Sequence, residues 1–267
     1  MSEQKKYTGL KDFLRKHKTI PEKSFTHTAL GQPPHSYPGS YCIEDDDLSL
    51  FHNLYNKAVF EESNTAHLTE KHKEVSPILI DLDFRHSNTL NDRQYTEEFI
   101  VKFLEHYIKE IKKYMPSLDI ARISAFVLEK EKPNFQGGGP QKFKDGIHIV
   151  FPYIITEPKI QYLMRYNTIT NPNVLELFDN INVVNDAADI FDIAVIERNN
   201  WQLYGSCKPN HEAYKVTNIY NYNGSNMETI YNKFTDKEIL KILSIRHIKE
   251  THVINNNMYT ENIEDDY

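Results

Sequence analysis

Two acidic residues, Asp81 and Asp83, stand in the segment SPILIDLDF, 76–84. Side chains alternate along a strand, so residues two apart share a face. Ile80, Leu82 and Phe84 then take one face and both carboxylates the other. Carboxylates roughly 7 Å apart along a strand repel unless positive charge lies between them. A hard divalent ion, Mg²⁺ or Mn²⁺, prefers oxygen ligands and meets that need. A lone DxD is common, and its ordinary reading is the polar face of a strand. The next group lies in KDGIHIVFP, 144–152. His148 shares a face with Gly146 in an otherwise apolar strand, and alone it would read as a structural histidine. Lys144 adds a cation near the same face. A histidine and a lysine beside paired carboxylates suit a triphosphate opposite a metal site. The third group lies in FDIAVIERNNWQLYGSCKP, 191–209. Asp192 is again an acid in an apolar run. Ser206, Lys208 and the backbone amides beside them suit phosphate oxygens. Three acids, a histidine and two lysines form the donor set of a two-metal, polymerase-like site. There, ions activate a 3′-hydroxyl and stabilise the departing pyrophosphate.

These residues need a scaffold, and the chain supplies its signals. Residues 76–84, 121–130 and 146–154 read as strands, rich in β-branched and apolar residues. Residues 190–196 and 201–206 read as two more, joined as a hairpin through Glu197-Arg198-Asn199-Asn200. The spacing of Phe99, Phe103, Leu104, Tyr107, Ile108 and Ile111 predicts a helix over 96–114, capped by Thr96 and stopped by Pro116. Residues 48–60 and 158–181 are also helical in pattern, the second broken near Asn171-Pro172. Thr235 and Glu238 form a capping box before Ile239 and Leu240. Four prolines in 21–40 point to extended, irregular chain. The mixture predicts an α+β fold. The strands of Asp81/Asp83, His148 and Asp192 are expected to be neighbours in one mostly antiparallel sheet, with helix 96–114 on its other face.

The order DLD, KDGIHIVFP, then FDIAV…NNWQLYGSCKP resembles the archaeo-eukaryotic primase superfamily. It is most similar to the N-terminal primase domains of helicase–primases of large nucleocytoplasmic DNA viruses, and more distantly to PrimPol enzymes. LTEKHKEVSPILIDLDFR, 68–85, adds to the similarity. The resemblance implies an RRM-like catalytic sheet with packed helices, about 76–250, and a smaller N-terminal α/β unit, about 1–75. A catalytic domain would then occupy 1–254; the Asn- and acid-rich composition of 255–267 predicts a disordered tail. The resemblance also implies that Asp81, Asp83 and Asp192 bind catalytic Mg²⁺ or Mn²⁺. His148 then contacts the nucleotide's phosphates, and Lys144 and Lys208 approach the triphosphate. Two positions depart from relatives: Gly146 stands where many have Ser, and Gln202 where some have Arg. The implied function is a DNA primase or primase-polymerase acting on single-stranded DNA with NTPs or dNTPs. A replicative helicase, in cis or in trans, is the implied partner. The alternative is a catalytically inactive primase-like module that binds DNA or a helicase.

Composition agrees with a globular protein of 267 residues. Lys plus Arg total 31 against 38 Asp plus Glu, a net charge of −7, which argues against a general nucleic-acid coat but permits a local basic cleft. No run is long and apolar enough for a membrane span, so no membrane partner is expected. The N-terminus lacks a signal core, and Cys42 and Cys207 imply no disulfide framework. An intracellular setting follows: host cytoplasm, or the nucleus, if the protein is viral. Cys207 and His211 make half a zinc site at best, so zinc is not expected. Trp201 and Tyr204 suit either base stacking or core packing. The Gly137–Gly139 loop suits either a nucleotide cover or a plain connection. No GxxxxGK[ST] motif occurs, so unwinding is not expected of this chain.

Overall fold

The structure, a computed structural model, describes residues 7–20, 22–31, 37–87, 92–135, 143–231, 233–254 and 259. The Gly137–Gly139 loop and the 255–267 tail, apart from Tyr259, lie outside the described residues. In chain order the elements are α1 (Leu10–Lys16), β1 (Lys18–Thr19), β2 (His27–Ala29), β3 (Gly39–Tyr41), α2 (Asp45–Asn56), β4 (Leu68–Glu70), β5 (Ser76–His86), α3 (Glu97–Tyr114), β6 (Ser124–Glu129), β7 (Asn134–Phe135), β8 (Phe143–Thr156), α4 (Pro158–Thr170), α5 (Pro172–Asp179), α6 (Ala187–Ile190), β9 (Trp201–Gln202), β10 (Lys215–Tyr222), β11 (Met227–Ile230) and α7 (Asp236–Leu243). The class is α+β, with two sheets among the described residues.

The chain divides into two compact units. The first comprises Met1–Lys73, Asn199–Lys215 and Lys233–Lys249. Its sheet runs β1-β3-β2-β4-β9. Phe13, Leu14, Phe51, Tyr55, Leu68, Leu203 and Leu240 share its core. The expected division near residue 75 places 199–215 and 233–249 elsewhere, and two physical facts draw them into this unit. Trp201 and Gln202 pair antiparallel with Glu70 and Thr69, and α7 buries Leu240 among the side chains of α1 and α2. The expected hairpin is therefore absent. Residues 190–196 do not form its first strand: Ala187–Ile190 is helical and Ile193–Val195 is a 3₁₀ turn.

Glu70 is fully buried in this unit and accepts from the Ser244 hydroxyl at 2.6 Å and the Ile245 amide at 3.0 Å. His27 lies 3.6 Å from it, and the ring of His52 stands edge-on to that of His247. Neither ring nitrogen of His52 meets a hydrogen-bond partner among the described residues. Burial, with Glu70 opposing and His247, His27 and Lys241 assisting, lowers the His52 pKa from 6.5 to about 4. A group whose folded pKa is depressed in this way takes up a proton more readily in the unfolded chain. Stability is therefore lost as pH falls from 6.5 toward 4, by up to about 3 kcal/mol. The lowered pKa of Glu70, whose burial is outweighed by His27, acts in the same direction at lower pH. The lone tryptophan, Trp201, reports on this unit. Urea unfolding followed by its fluorescence is expected to show a lower midpoint at pH 5 than at pH 7. His52→Leu is expected to remove most of that difference; an unchanged difference would reject the assignment.

The second unit comprises Glu74–Arg198, Val216–Asn232 and Glu250–Tyr267. Its sheet runs β11-β10-β6-β8-β5, with β7 also paired to β8. The stripe predicted on α3 is buried as Phe99, Phe103, Leu104, Tyr107, Ile108 and Ile111. It shares one core with Ile80, Leu82 and Phe84 of β5 and Ile147, Ile149 and Phe151 of β8. Thr96 caps the helix, accepting from the Phe99 amide, while Glu97 and Glu98 meet the positive end of its dipole.

Candidate active site

Alternation on β5 and β8 decides which side chains meet. Asp81 is paired with His148, Asp83 with Gly146 and Arg85 with Lys144. Because Ile80, Leu82, Ile147 and Ile149 go to the core, Asp81, Asp83, Lys144 and His148 share the opposite face. Lys144 Nζ lies 2.7 Å from Asp83 Oδ2. His148 Nε2 lies 3.5 Å from Asp81 Oδ1. The two carboxylates thus have a cation, or a group that can become one, beside them in the free protein. Gly146, between Lys144 and His148 on β8, places no side chain opposite Asp83.

Asp192 reaches this place by another route than the expected strand. The free edge of β5 is lined by irregular chain, which satisfies backbone groups an edge strand would leave open. Val184 N donates to Arg85 O at 2.8 Å. Arg85 N donates to Asn185 Oδ1 at 3.0 Å, and Asn185 Nδ2 to Asp83 O at 2.9 Å. Phe191 bridges to Leu82, and Asp192 N donates to Asp81 O at 3.0 Å. Asp192 caps the following 3₁₀ turn through Oδ1, which accepts from Ala194 N at 2.8 Å. The third acid is thus tied by its backbone to the first, from a turn rather than a strand.

An ionic network with two buried acids, Asp145 and Glu129, around a partly exposed arginine lies on the helix side of β8, unsignalled by any motif. Asp145 accepts from Arg93 Nε at 2.9 Å and from Arg93 Nη2 at 3.3 Å. Arg93 Nη1 also donates to Glu129 at 2.9 Å, as does Tyr95 OH. Burial works against the Arg93 charge, but the Asp145 hydrogen bonds override it and raise its pKa. Burial, followed by Asp145 and Glu129, raises that of Tyr95. The parity of Asp145 with Ile147 and Ile149 is the signal that could have found it. An acid on the core side of a strand requires a buried cation. The network anchors the strand between Lys144 and Gly146.

Ser206 and Lys208 belong to the first unit. The Ser206 hydroxyl is buried, 2.8 Å from Tyr55 OH, and accepts from Leu68 N at 3.0 Å. The Cys207 amide donates to Ala66 O at 3.0 Å. With its carboxamide oxygen turned toward them, Gln202 also accepts from the Cys207 and Lys208 amides, at 3.2 and 3.1 Å. The hydroxyl and amides expected to meet phosphate are thus engaged within this unit, because the chain needs them to fasten residues 202–208 to β4. The Lys208 side chain is exposed. Trp201 is buried, and Tyr204 stacks on Phe60 with ring centroids 5.5 Å apart, so both pack internally.

Carboxylate oxygens on one open face are the donors a hard divalent ion takes. The chemistry of Asp81 and Asp83 fits Mg²⁺ or Mn²⁺, with Asp192 adjoining through Asp81. Among the described residues, no three acidic, histidine or cysteine side chains are already gathered as for a bound ion. Lys144 and His148 stand beside the carboxylates instead.

A family model described as the C962R protein N-terminal AEP domain matches residues 26–220, a span containing every residue named above for the site. The chain is also 36% identical over 200 residues to a protein of Acanthamoeba polyphaga mimivirus named "Putative helicase L207/L206". That match covers 73% of this chain and 20% of the mimivirus protein, so the chain spans a small part of its relative's length.

Proposed function

The chain belongs to the archaeo-eukaryotic primase superfamily, and on that footing we propose that it is a DNA primase or primase-polymerase, making primers on single-stranded DNA from NTPs or dNTPs. The observation that supports this most is the face on which Asp81 and Asp83 meet His148 and Lys144, with Asp192 fastened to Asp81. Asp81, Asp83 and Asp192 would hold Mg²⁺ or Mn²⁺, which supplies an activated hydroxyl and charge neutralisation at the leaving group. The protein's own cations do the rest. A triphosphate brings about four negative charges to a site already holding three carboxylates, more than two divalent ions alone offset, so protein cations must face it. On this face Lys144 stands beside Asp83, and His148, cationic when protonated, beside Asp81. Lys208 takes its nucleotide role from the sequence, by residue type and by resemblance, with Ser206 holding its segment. A replicative helicase, in cis or in trans, is the proposed partner, and a viral replication site in the host cytoplasm or nucleus the proposed setting. No helix among the described residues is long and apolar enough to cross a membrane.

A primer-synthesis assay on single-stranded DNA with Mg²⁺ or Mn²⁺ tests the reading. Metal-dependent product is expected; DNA or helicase binding without product would make the chain an inactive primase-like module. His148→Ala and Lys208→Ala are each expected to weaken nucleotide binding by about 1.5–3 kcal/mol, a charge-assisted hydrogen bond. That is roughly ten- to a hundredfold in Kd. DNA binding should change far less. Titrations of each variant with nucleotide in Mn²⁺ decide this, and parental nucleotide affinity with lost DNA binding would move these residues to the template.

A further inference from the structure

Arg165 on α4 is a buried cation that the catalytic reading does not use. It is 6% exposed and makes no ion pair among the described residues. A buried guanidinium without a carboxylate partner must have its donors met by other acceptors. Here they are backbone carbonyls on the irregular chain beside β5. Nε donates to Phe191 O at 2.8 Å and Nη2 to Ala188 O at 2.7 Å. The guanidinium also stands over the Phe191 ring, 5.6 Å from its centroid. Burial lowers its pKa and the charge of Asp192 opposes that.

The peptide unit joining Phe191 to Asp192 is therefore held at both ends. Arg165 takes its carbonyl, and Asp81 O takes its N–H at 3.0 Å. A planar peptide with both polar groups fixed has little freedom to rotate. The Asp192 Cα is attached directly to it, so the carboxylate starts from a set direction beside Asp81. A planar fork can reach two carbonyls at once from separate nitrogens; a lysine would supply all its donors from one point and a methionine none.

We propose that Arg165 is a positioning residue for the third acid, setting where Asp192 stands relative to Asp81 and so the affinity of the carboxylate group for divalent ions. This rests on the reading of Asp81, Asp83 and Asp192 as metal ligands. Mn²⁺ binding, measured by calorimetry or electron paramagnetic resonance without nucleotide or DNA, tests both separately. Asp192→Ala is expected to weaken Mn²⁺ binding; if it binds Mn²⁺ as the parent does, the reading of Asp192 fails, whatever Arg165 does. Arg165→Met, which keeps volume, is expected to weaken Mn²⁺ binding at least fivefold, and Arg165→Lys by an intermediate amount. In the Asp192→Ala background, Arg165→Met is expected to add almost nothing, because both changes act through one carboxylate. Parental Mn²⁺ affinity in Arg165→Met, or full additivity in the double variant, overturns the proposal. So does failure of both Arg165→Met and Arg165→Lys to fold, which would make the arginine a core strut.

Discussion

Asp83→Ala is expected to lower nucleotide transfer by about a thousandfold or more while leaving the protein folded. Metal-borne stabilisation of a phosphoryl transition state is worth several kcal/mol, and each 1.36 kcal/mol is a factor of ten in rate. The cost to the fold is small for a specific reason. The Asp83 side chain is 20% exposed and that of its partner Lys144 is 29% exposed. When the carboxylate is removed, water can take its place at the ammonium, and such pairs contribute roughly 1 kcal/mol or less. Relief of repulsion between the two acids, a gain the sequence suggests, is also limited, because Lys144 and His148 already stand beside them. Primer synthesis and thermal unfolding measured on the same preparation check both halves. Near-parental synthesis by Asp83→Ala would remove the carboxylate face from the mechanism.

Gly205→Ala is expected to destabilise the first unit by about 3 kcal/mol. Two costs combine. Gly205 has φ +85°, in the left-handed region, where a Cβ costs roughly 1–2 kcal/mol. A Cβ there would also stand 2.5 Å from Phe60 Cζ and 3.1 Å from Val59 Cγ1, and overpacking costs typically about 1–3 kcal/mol. Phe60 belongs to the π-turn Lys57–Glu61 that continues α2, and its ring is the one stacked on Tyr204. Unfolding followed by Trp201 fluorescence gives the size of the effect. Adding Phe60→Leu should recover the packing part and leave the backbone part. Full recovery would show that the positive φ carries no cost here, and no loss in Gly205→Ala would reject the account.

Periodicity carried the second unit's core. The 3.6-residue stripe from Phe99 to Ile111 and the two-residue alternation of Ile80, Leu82 and Phe84 meet in one cluster, and this alone puts Asp81 and Asp83 on the other face. The pairing of Asp81 with His148 and of Asp83 with Gly146 needs a register that no local pattern specifies, since β5 and β8 are far apart in sequence. The segment around Asp192 misled for a known reason. A short apolar run such as IFDIAVI is compatible with a strand or a turn, and periodicity cannot separate them. Its Phe191 is buried and Ile193 exposed, a pattern made by long-range packing rather than by pleat. Trp201-Gln202 reads as strand from its own residues, but its partner, Thr69-Glu70, lies some 130 residues earlier, beyond any local pattern.

The alternation of segments between units bears on how the chain is made and cut. The first unit closes only when 199–215 and 233–249 have been synthesised. Until then a nascent chain presents β4 without β9, and Glu70 without the Ser244 hydroxyl and Ile245 amide that satisfy it. The second unit, which takes up 216–232, is likewise unfinished until β10 and β11 emerge. Neither unit is released whole by a single cut near residue 75. A fragment ending there would leave Glu70 with His27 beside it but without its Ser244 and Ile245 donors, so dissecting this protein into parts requires rejoining distant segments through new linkers.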